Sequence, residues 1–143
     1  MKLVIQRVKQ AKVLVDGKVV GAIGPGLFVL LGVGQDDDEG QVDTLVHKLV
    51  NLRIMADAKG KMNLSIKDVS GEVLVVSQFT LLADTSYGRR PSFVKAADPD
   101  LAKRLYELFL DKLKEEGIKV STGSFGAYME IESVTDGPVT IIL

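Results

Sequence analysis

Acyl or phosphoryl chemistry needs a nucleophile or an activated water, together with donors placed where an oxyanion will develop. The densest cluster of such groups in this sequence is Ser77-Gln78-Phe79-Thr80-Leu81, where two hydroxyls and an amide interrupt the apolar run Val73-Leu74-Val75-Val76. Buried hydroxyls and amides need partners, so the stretch is either an internally satisfied structural network or a reactive strand end. Regular pleating places Gln78 and Thr80 on one face and Ser77 and Phe79 on the other, with a bulge as the alternative. Neither hydroxyl has an evident base. His47 is the only histidine, and the helical pattern around it puts it off the apolar stripe, as an exposed i, i+4 neighbour of Asp43.

Three further stretches carry candidate groups. In Asp136-Gly137-Pro138-Val139-Thr140 the Gly-Pro pair is either a plain turn or a rigid mount that presents two main-chain carbonyls, with Gly137 allowing close approach. In Gly88-Arg89-Arg90-Pro91-Ser92-Phe93 the guanidinium groups of Arg89 and Arg90 fit phosphate oxygens or, equally, stay solvated. In Thr122-Gly123-Ser124-Phe125-Gly126-Ala127-Tyr128-Met129 Phe125 and Met129 either flank a nucleobase or pack in the core.

Other chemistries lack their parts. With no cysteine and one histidine, neither a thiolate site nor a His-rich zinc site can be built. The run Asp36-Asp37-Asp38-Glu39 lacks the ligand spacing of a calcium loop and suits a helix start. No metal or cofactor is expected. A net charge of −1 and a pI near 5.8 exclude a broad basic surface for a long nucleic acid but permit contact with one nucleic-acid end. No signal peptide or 18-residue apolar run is present, so a soluble, cytoplasmic protein is expected, and the absent cysteines suit a reducing compartment.

The elements that must position these groups read as one domain over residues 1–143. Lys2–Lys9 and Ala11–Asp16 read as strands, with Asp16-Gly17 turning tightly into Val19–Ile23. Gly24-Pro25-Gly26 marks a turn before Leu27–Val33, an apolar run suited to a strand buried on both faces. Val42, Leu45, Val46, Leu49 and Val50 form the stripe of a helix near 38–50. A second helix is capped by Asp98-Pro99, carries Leu101, Leu105, Leu108, Phe109 and Leu113 on one face, and stops at Gly117. Strands are expected at Leu52–Met55, at Glu72–Leu82 after a turn region through Asp57–Gly60, and at Ile118–Ser121. Two more are expected at Ala127–Thr135 and Val139–Leu143, joined through Asp136-Gly137-Pro138. The sum is an α/β domain with a mixed sheet.

The chemical stretches, together with Gln6-Arg7-Val8, Gly24-Pro25-Gly26-Leu27, Asn51-Leu52-Arg53 and Gly60-Lys61-Met62-Asn63, closely resemble the D-aminoacyl-tRNA deacylase family of bacteria and eukaryotes. The likeness spans essentially the whole chain, with no departure in the Ser-Gln-Phe-Thr and Gly-Pro signatures. It implies largely antiparallel, barrel-like or layered sheets packed with two main helices. It also implies a hydrolase that proofreads chirality by cutting D-amino acids or glycine from the 3′ end of tRNA. The implied enzyme is a homodimer in which Gly137 and Pro138 of one subunit, joined by a cis bond and supported by Arg7, enter the other's pocket. There they would lie beside the catalytic segment Ser77, Gln78, Phe79 and Thr80, with Phe125 and Met129 bordering the terminal adenosine. Since no base serves a covalent route, the likeness further suggests that the tRNA's own terminal 2′-hydroxyl assists while main-chain amides near Phe79 and Thr80 polarise the ester. Two other readings are a paralogue that removes mischarged L-alanine and a non-catalytic module that binds tRNA ends.

Overall fold

The computed structural model describes Met1–Leu143. The chain opens with strand β1 (Lys2–Val15), which turns into β2 (Lys18–Ile23) through Asp16 at φ 49° and Gly17 at φ 72°, the left-handed pair that a two-residue hairpin requires. The two strands expected at Lys2–Lys9 and Ala11–Asp16 are one. Along one edge, the first half of β1 pairs with β3 (Gly26–Gly32) and its second half with β2, while its other edge pairs with β8 (Glu130–Ile142). Continuous pairing holds β1 extended where its alternation falters.

Beyond β3 the sheet turns parallel, through β6 (Glu72–Ser77) to β7 (Lys119–Thr122). A short antiparallel pair, β4 (Met55–Ala56) with β5 (Met62–Leu64), lies apart. Strand β2 then backs onto β7: Ser121 donates its hydroxyl to the Ala22 carbonyl at 2.8 Å, and a Cβ on Gly21 would stand 2.0 Å from the Thr122 oxygen. The sheet is thereby nearly closed into a barrel.

Strict alternation divides the apolar side chains. Val73 and Val75 of β6 join Leu27, Val29 and Leu31 of β3 in a large core under the helices, whereas Leu74, Val76 and Phe28 pack with Val8, Ala11, Val13 and Ile23 inside the barrel. This two-sided burial explains why β3 and β6 are apolar throughout. Helix α1 (Glu39–Asn51) starts in a capping box between Asp38 and Gln41. Helix α2 (Pro99–Glu115) starts at Asp98, whose carboxylate accepts from the Asp100 and Leu101 amides. It stops at Gly117 (φ 80°), where the Gly117 and Ile118 amides return to the Lys114 and Leu113 carbonyls, a Schellman closure. No helix is long and apolar enough to cross a membrane.

Three further expectations change. Of the strand expected at Leu52–Met55 only Met55 enters a ladder, as the first residue of β4, because the Ile54 carbonyl is taken by the Arg7 guanidinium at 2.7 Å. The strand expected over Glu72–Leu82 ends at Ser77, and Phe79–Leu82 is a 3-10 turn. Its partner β3 runs out there: the Gln78 amide makes the last rung to the Leu31 carbonyl at 2.8 Å, and side-chain-free Gly32 admits the turn. The strands expected at Ala127–Thr135 and Val139–Leu143 are one strand with a bulge, since Val8 pairs with Thr135 and Gln6 with Thr140, leaving 136–139 opposite Arg7 alone. His47 is exposed and off the apolar stripe of α1, as expected, and its neighbour Asp43 pairs with Lys112 at 3.3 Å because α2 packs alongside α1.

Candidate active site

Where β6 gives way to the 3-10 turn, a cavity of about 560 Å³ opens. Ser77, Gln78 and Phe79 form one wall, Phe125 through Met129 the opposite wall, and Ala97, Pro99 and Ala102 at the start of α2 close the end. No carboxylate, histidine, lysine or arginine lines it. Its chemical resources are hydroxyls, amides and apolar surface.

The 3-10 turn supplies donors because the first N–H groups of any helical turn lack internal acceptors. The Leu81 amide returns to the Gln78 carbonyl at 3.3 Å, while those of Phe79 and Thr80 find no backbone acceptor. Lys2 ties the turn down through the Leu81 carbonyl at 3.1 Å. Thr80 is exposed and lies outside the cavity lining. The Gln78 amide nitrogen donates to its hydroxyl at 2.5 Å, which ties the two side chains together beside the cavity. Phe79 is about half exposed and meets the edge of Phe93 with ring centroids 5.0 Å apart.

The opposite wall is braced from behind. Phe125 packs against Tyr106 at 5.8 Å, and the buried Tyr106 hydroxyl donates to the Val75 carbonyl at 2.9 Å, an oxygen that also accepts the Gly123 amide at 3.2 Å. One carbonyl of β6 thus joins α2 to the segment that carries Phe125 and Met129. A Cβ on Gly123 would stand 2.6 Å from the Met129 sulfur, so Met129 would have to move to admit a side chain there. Burial, with a contribution from Glu107, pushes the Tyr106 phenol up to about 12. Tyr106→Phe should cost about 1 kcal/mol at neutral pH, because the Val75 oxygen keeps its second donor. The folded chain holds this proton more tightly than the unfolded one. Its stabilising contribution is therefore complete below about pH 10 and is lost as pH rises towards about 12. Denaturant titrations across that window should show a decline that is shallower in Tyr106→Phe.

Arg7, Gly137 and Pro138 form a separate constellation. The Gly137–Pro138 peptide is cis and Gly137 sits at φ +131°. Arg7 grips the bulge through the Asp136 carbonyl and carboxylate, both at 3.1 Å from Nε, and reaches Ile54 with its other end. Gly137 and Pro138 are exposed and neither lines the cavity of its own chain. Arg89 and Arg90 stand exposed on the loop before Phe93. Of the residues singled out in the sequence, the structure gathers Ser77, Gln78, Phe79, Phe125 and Met129 around the cavity, leaves Thr80 just outside its lining, and places Arg7, Gly137, Pro138, Arg89 and Arg90 in these two outlying groups. Sequence reasoning missed Tyr106 and Tyr128. A phenol within the buried stripe of α2 was the available signal for the first, and nothing local marked the second.

A nearly closed α/β barrel whose apolar-walled cavity lies beside two main-chain amides without a backbone acceptor, and is lined by no carboxylate, histidine, lysine or arginine, defines the class of fold and site. The chain belongs to the D-Tyr-tRNA(Tyr) deacylase family, whose sequence profile matches residues 4–143. Proteins called D-aminoacyl-tRNA deacylase from Dehalococcoides mccartyi (strain ATCC BAA-2266 / KCTC 15142 / 195) and Carboxydothermus hydrogenoformans are 59% and 56% identical. Each alignment covers all of this chain, with 94% and 99% of those proteins. A solved structure described as c-Myc DNA Unwinding Element Binding Protein superposes with a TM-score of 0.92 at 42% identity, covering 100% of this chain and 97% of the other. Another, of a probable eukaryotic D-amino acid tRNA deacylase, gives 0.85 at 19% identity over 99% and 97%, and shares the fold.

Proposed function

We propose that the protein hydrolyses the ester joining a D-amino acid, or glycine, to the 3′-terminal adenosine of tRNA, and acts as a cytoplasmic homodimer. The observation that carries this reading is the division of one chain into a cavity lined by no carboxylate, histidine, lysine or arginine and an exposed, Arg7-anchored Gly137-Pro138 bulge outside it. A second copy brings the two together. Strand β8 supports the dimer: it is the free edge of the sheet beside β1 and exposes Ile131, Val134 and Ile142, the kind of edge that proteins cover.

With Gly137 and Pro138 of the partner subunit at the cavity mouth, main-chain carbonyls face the substrate's α-carbon. An L side chain collides with them, a D side chain points away, and glycine passes for want of one, so selection works by rejection. Because nothing grips the side chain, many D-amino acids are accepted. Phe125 and Met129 border the adenine. Water attacks the ester carbonyl carbon, the Phe79 and Thr80 amides hold the resulting oxyanion, and the ribose 2′-hydroxyl relays the proton to the departing 3′-oxygen. The products are free D-amino acid and uncharged tRNA.

Incubation with D-Tyr-tRNA, L-Tyr-tRNA and L-Ala-tRNA tests the reading. D-Tyr-tRNA should be cleaved about 10²-fold faster than either L ester, since about 1 Å of misplacement carries such a cost. Preferential cleavage of L-Ala-tRNA, or binding without release of amino acid, would overturn it.

A further inference from the structure

The loop from Asp84 to Phe93 is built as an outward arm. Asp84 and Ser92 close its base with reciprocal backbone hydrogen bonds of 2.8 and 2.9 Å. The Asp84 carboxylate adds the Ser86 amide and the Lys95 ammonium, both at 3.0 Å. Hydrogen bonding from Ser86, followed by that from Lys95, holds this carboxyl well below the usual carboxylate range, so the clasp persists at physiological pH. Every residue of the tip, Thr85–Pro91, is exposed.

The tip carries chemistry without internal use. Of five arginines in the sequence, Arg7, Arg53 and Arg104 hydrogen-bond within the fold, whereas Arg89 and Arg90 make neither a hydrogen bond nor an ion pair. Beside them Tyr87 is 90% exposed, an aromatic face that packs on nothing. Just past the base, Phe93 contacts Phe79 at the cavity wall. A chain leaving the cavity over Phe79 and Phe93 therefore meets an aromatic ring and two uncommitted guanidinium groups in succession. Stacking platforms interleaved with cations are what single-stranded nucleic acid uses, and two adjacent cations suit a short stretch of phosphates.

Resting on the deacylase reading, we propose that the Asp84–Phe93 arm is the track for the unpaired nucleotides immediately 5′ of the terminal adenosine. Tyr87 stacks one base, Arg89 and Arg90 meet the phosphates, and Asp84 holds the arm in place. Recognition of the substrate then extends beyond the adenosine by single-strand contacts and not through the acceptor duplex.

The test uses three D-Tyr esters: full tRNA, a short single-stranded oligonucleotide ending in CCA, and adenosine alone. Tyr87→Ala should raise KM about tenfold for the first two, the usual scale of one stacked base, with kcat little changed and no penalty on the adenosine ester. Arg89→Ala with Arg90→Ala should do the same and flatten the salt dependence of binding by about 0.7 per arginine. A penalty confined to full tRNA, an equal penalty on all three esters, or no penalty at all would overturn the proposal. Binding of the uncharged CCA oligonucleotide, followed by fluorescence anisotropy, gives an arm independent of turnover. If the parent cleaves none of the esters, the deacylase reading fails, and weaker oligonucleotide binding by Tyr87→Ala still decides the track.

Discussion

D-Tyr-tRNA ending in 2′-deoxyadenosine should be hydrolysed about 10²-fold or more slowly than the natural substrate, whereas Ser77→Ala and Thr80→Ala should each stay within about tenfold of the parent. No carboxylate, histidine, lysine or arginine lines the cavity. Thr80 lies outside its lining, and its hydroxyl accepts from the Gln78 amide. Ser77 is in the cavity but has nothing to deprotonate it. The remaining proton carrier is on the substrate, where the 2′-hydroxyl lies next to the scissile ester in every conformation. Single-turnover rates with the two tRNAs and the two variants check this. Normal cleavage of the deoxy substrate, together with loss of turnover in a folded Thr80→Ala, would move the chemistry back onto the protein.

Gly137→Ala should lower deacylation by about 10²-fold or more while leaving the far-ultraviolet circular dichroism and unfolding transition close to those of the parent. At φ +131° an added Cβ would stand 2.9 Å from a Val139 methyl, 3.0 Å from the Val139 nitrogen and 3.2 Å from the Arg7 guanidinium. The bulge must shift, yet Gly137 and Pro138 themselves are exposed, and of the bulge only Val139 touches the core, at its margin. Mixing separates a gate acting within a chain from one acting between chains. Ala102→Phe blocks the cavity of one chain and leaves its bulge intact, while Gly137→Ala spoils the bulge and leaves the cavity. After subunit exchange, the mixed dimer holds one site with a sound cavity and a sound gate. Activity should reappear in the mixture although neither variant works alone. No recovery, with exchange verified by mass spectrometry, would place the gate within its own chain and remove the need for a dimer.

Much of the fold was legible from short stretches because local chemistry decides those features. Asp16-Gly17 dictates a tight hairpin, Asp98-Pro99 and Gly117 bound the second helix, and the acidic run starts the first. Each rests on one or two residues whose backbone preference or side-chain oxygen needs no distant partner. The candidate site segments stood out as well, since polar groups at the end of a buried apolar strand and a Gly-Pro pair in another conflict with their surroundings.

What sequence could not decide was how those segments end and meet. β6 stops at Ser77 because β3, far away in the chain, has no further rung to offer, and the polar segment therefore curls into a turn that frees two amides. The bulge at 136–139 exists because β1 supplies Arg7 alone opposite it. The cavity needs residues near 77, 99 and 125 brought within one pocket. Local propensity acts over a few residues, whereas ladder length, register and the closing of a cavity are set by partners remote in sequence. The chemical groups were therefore determined by the sequence and their arrangement by tertiary structure.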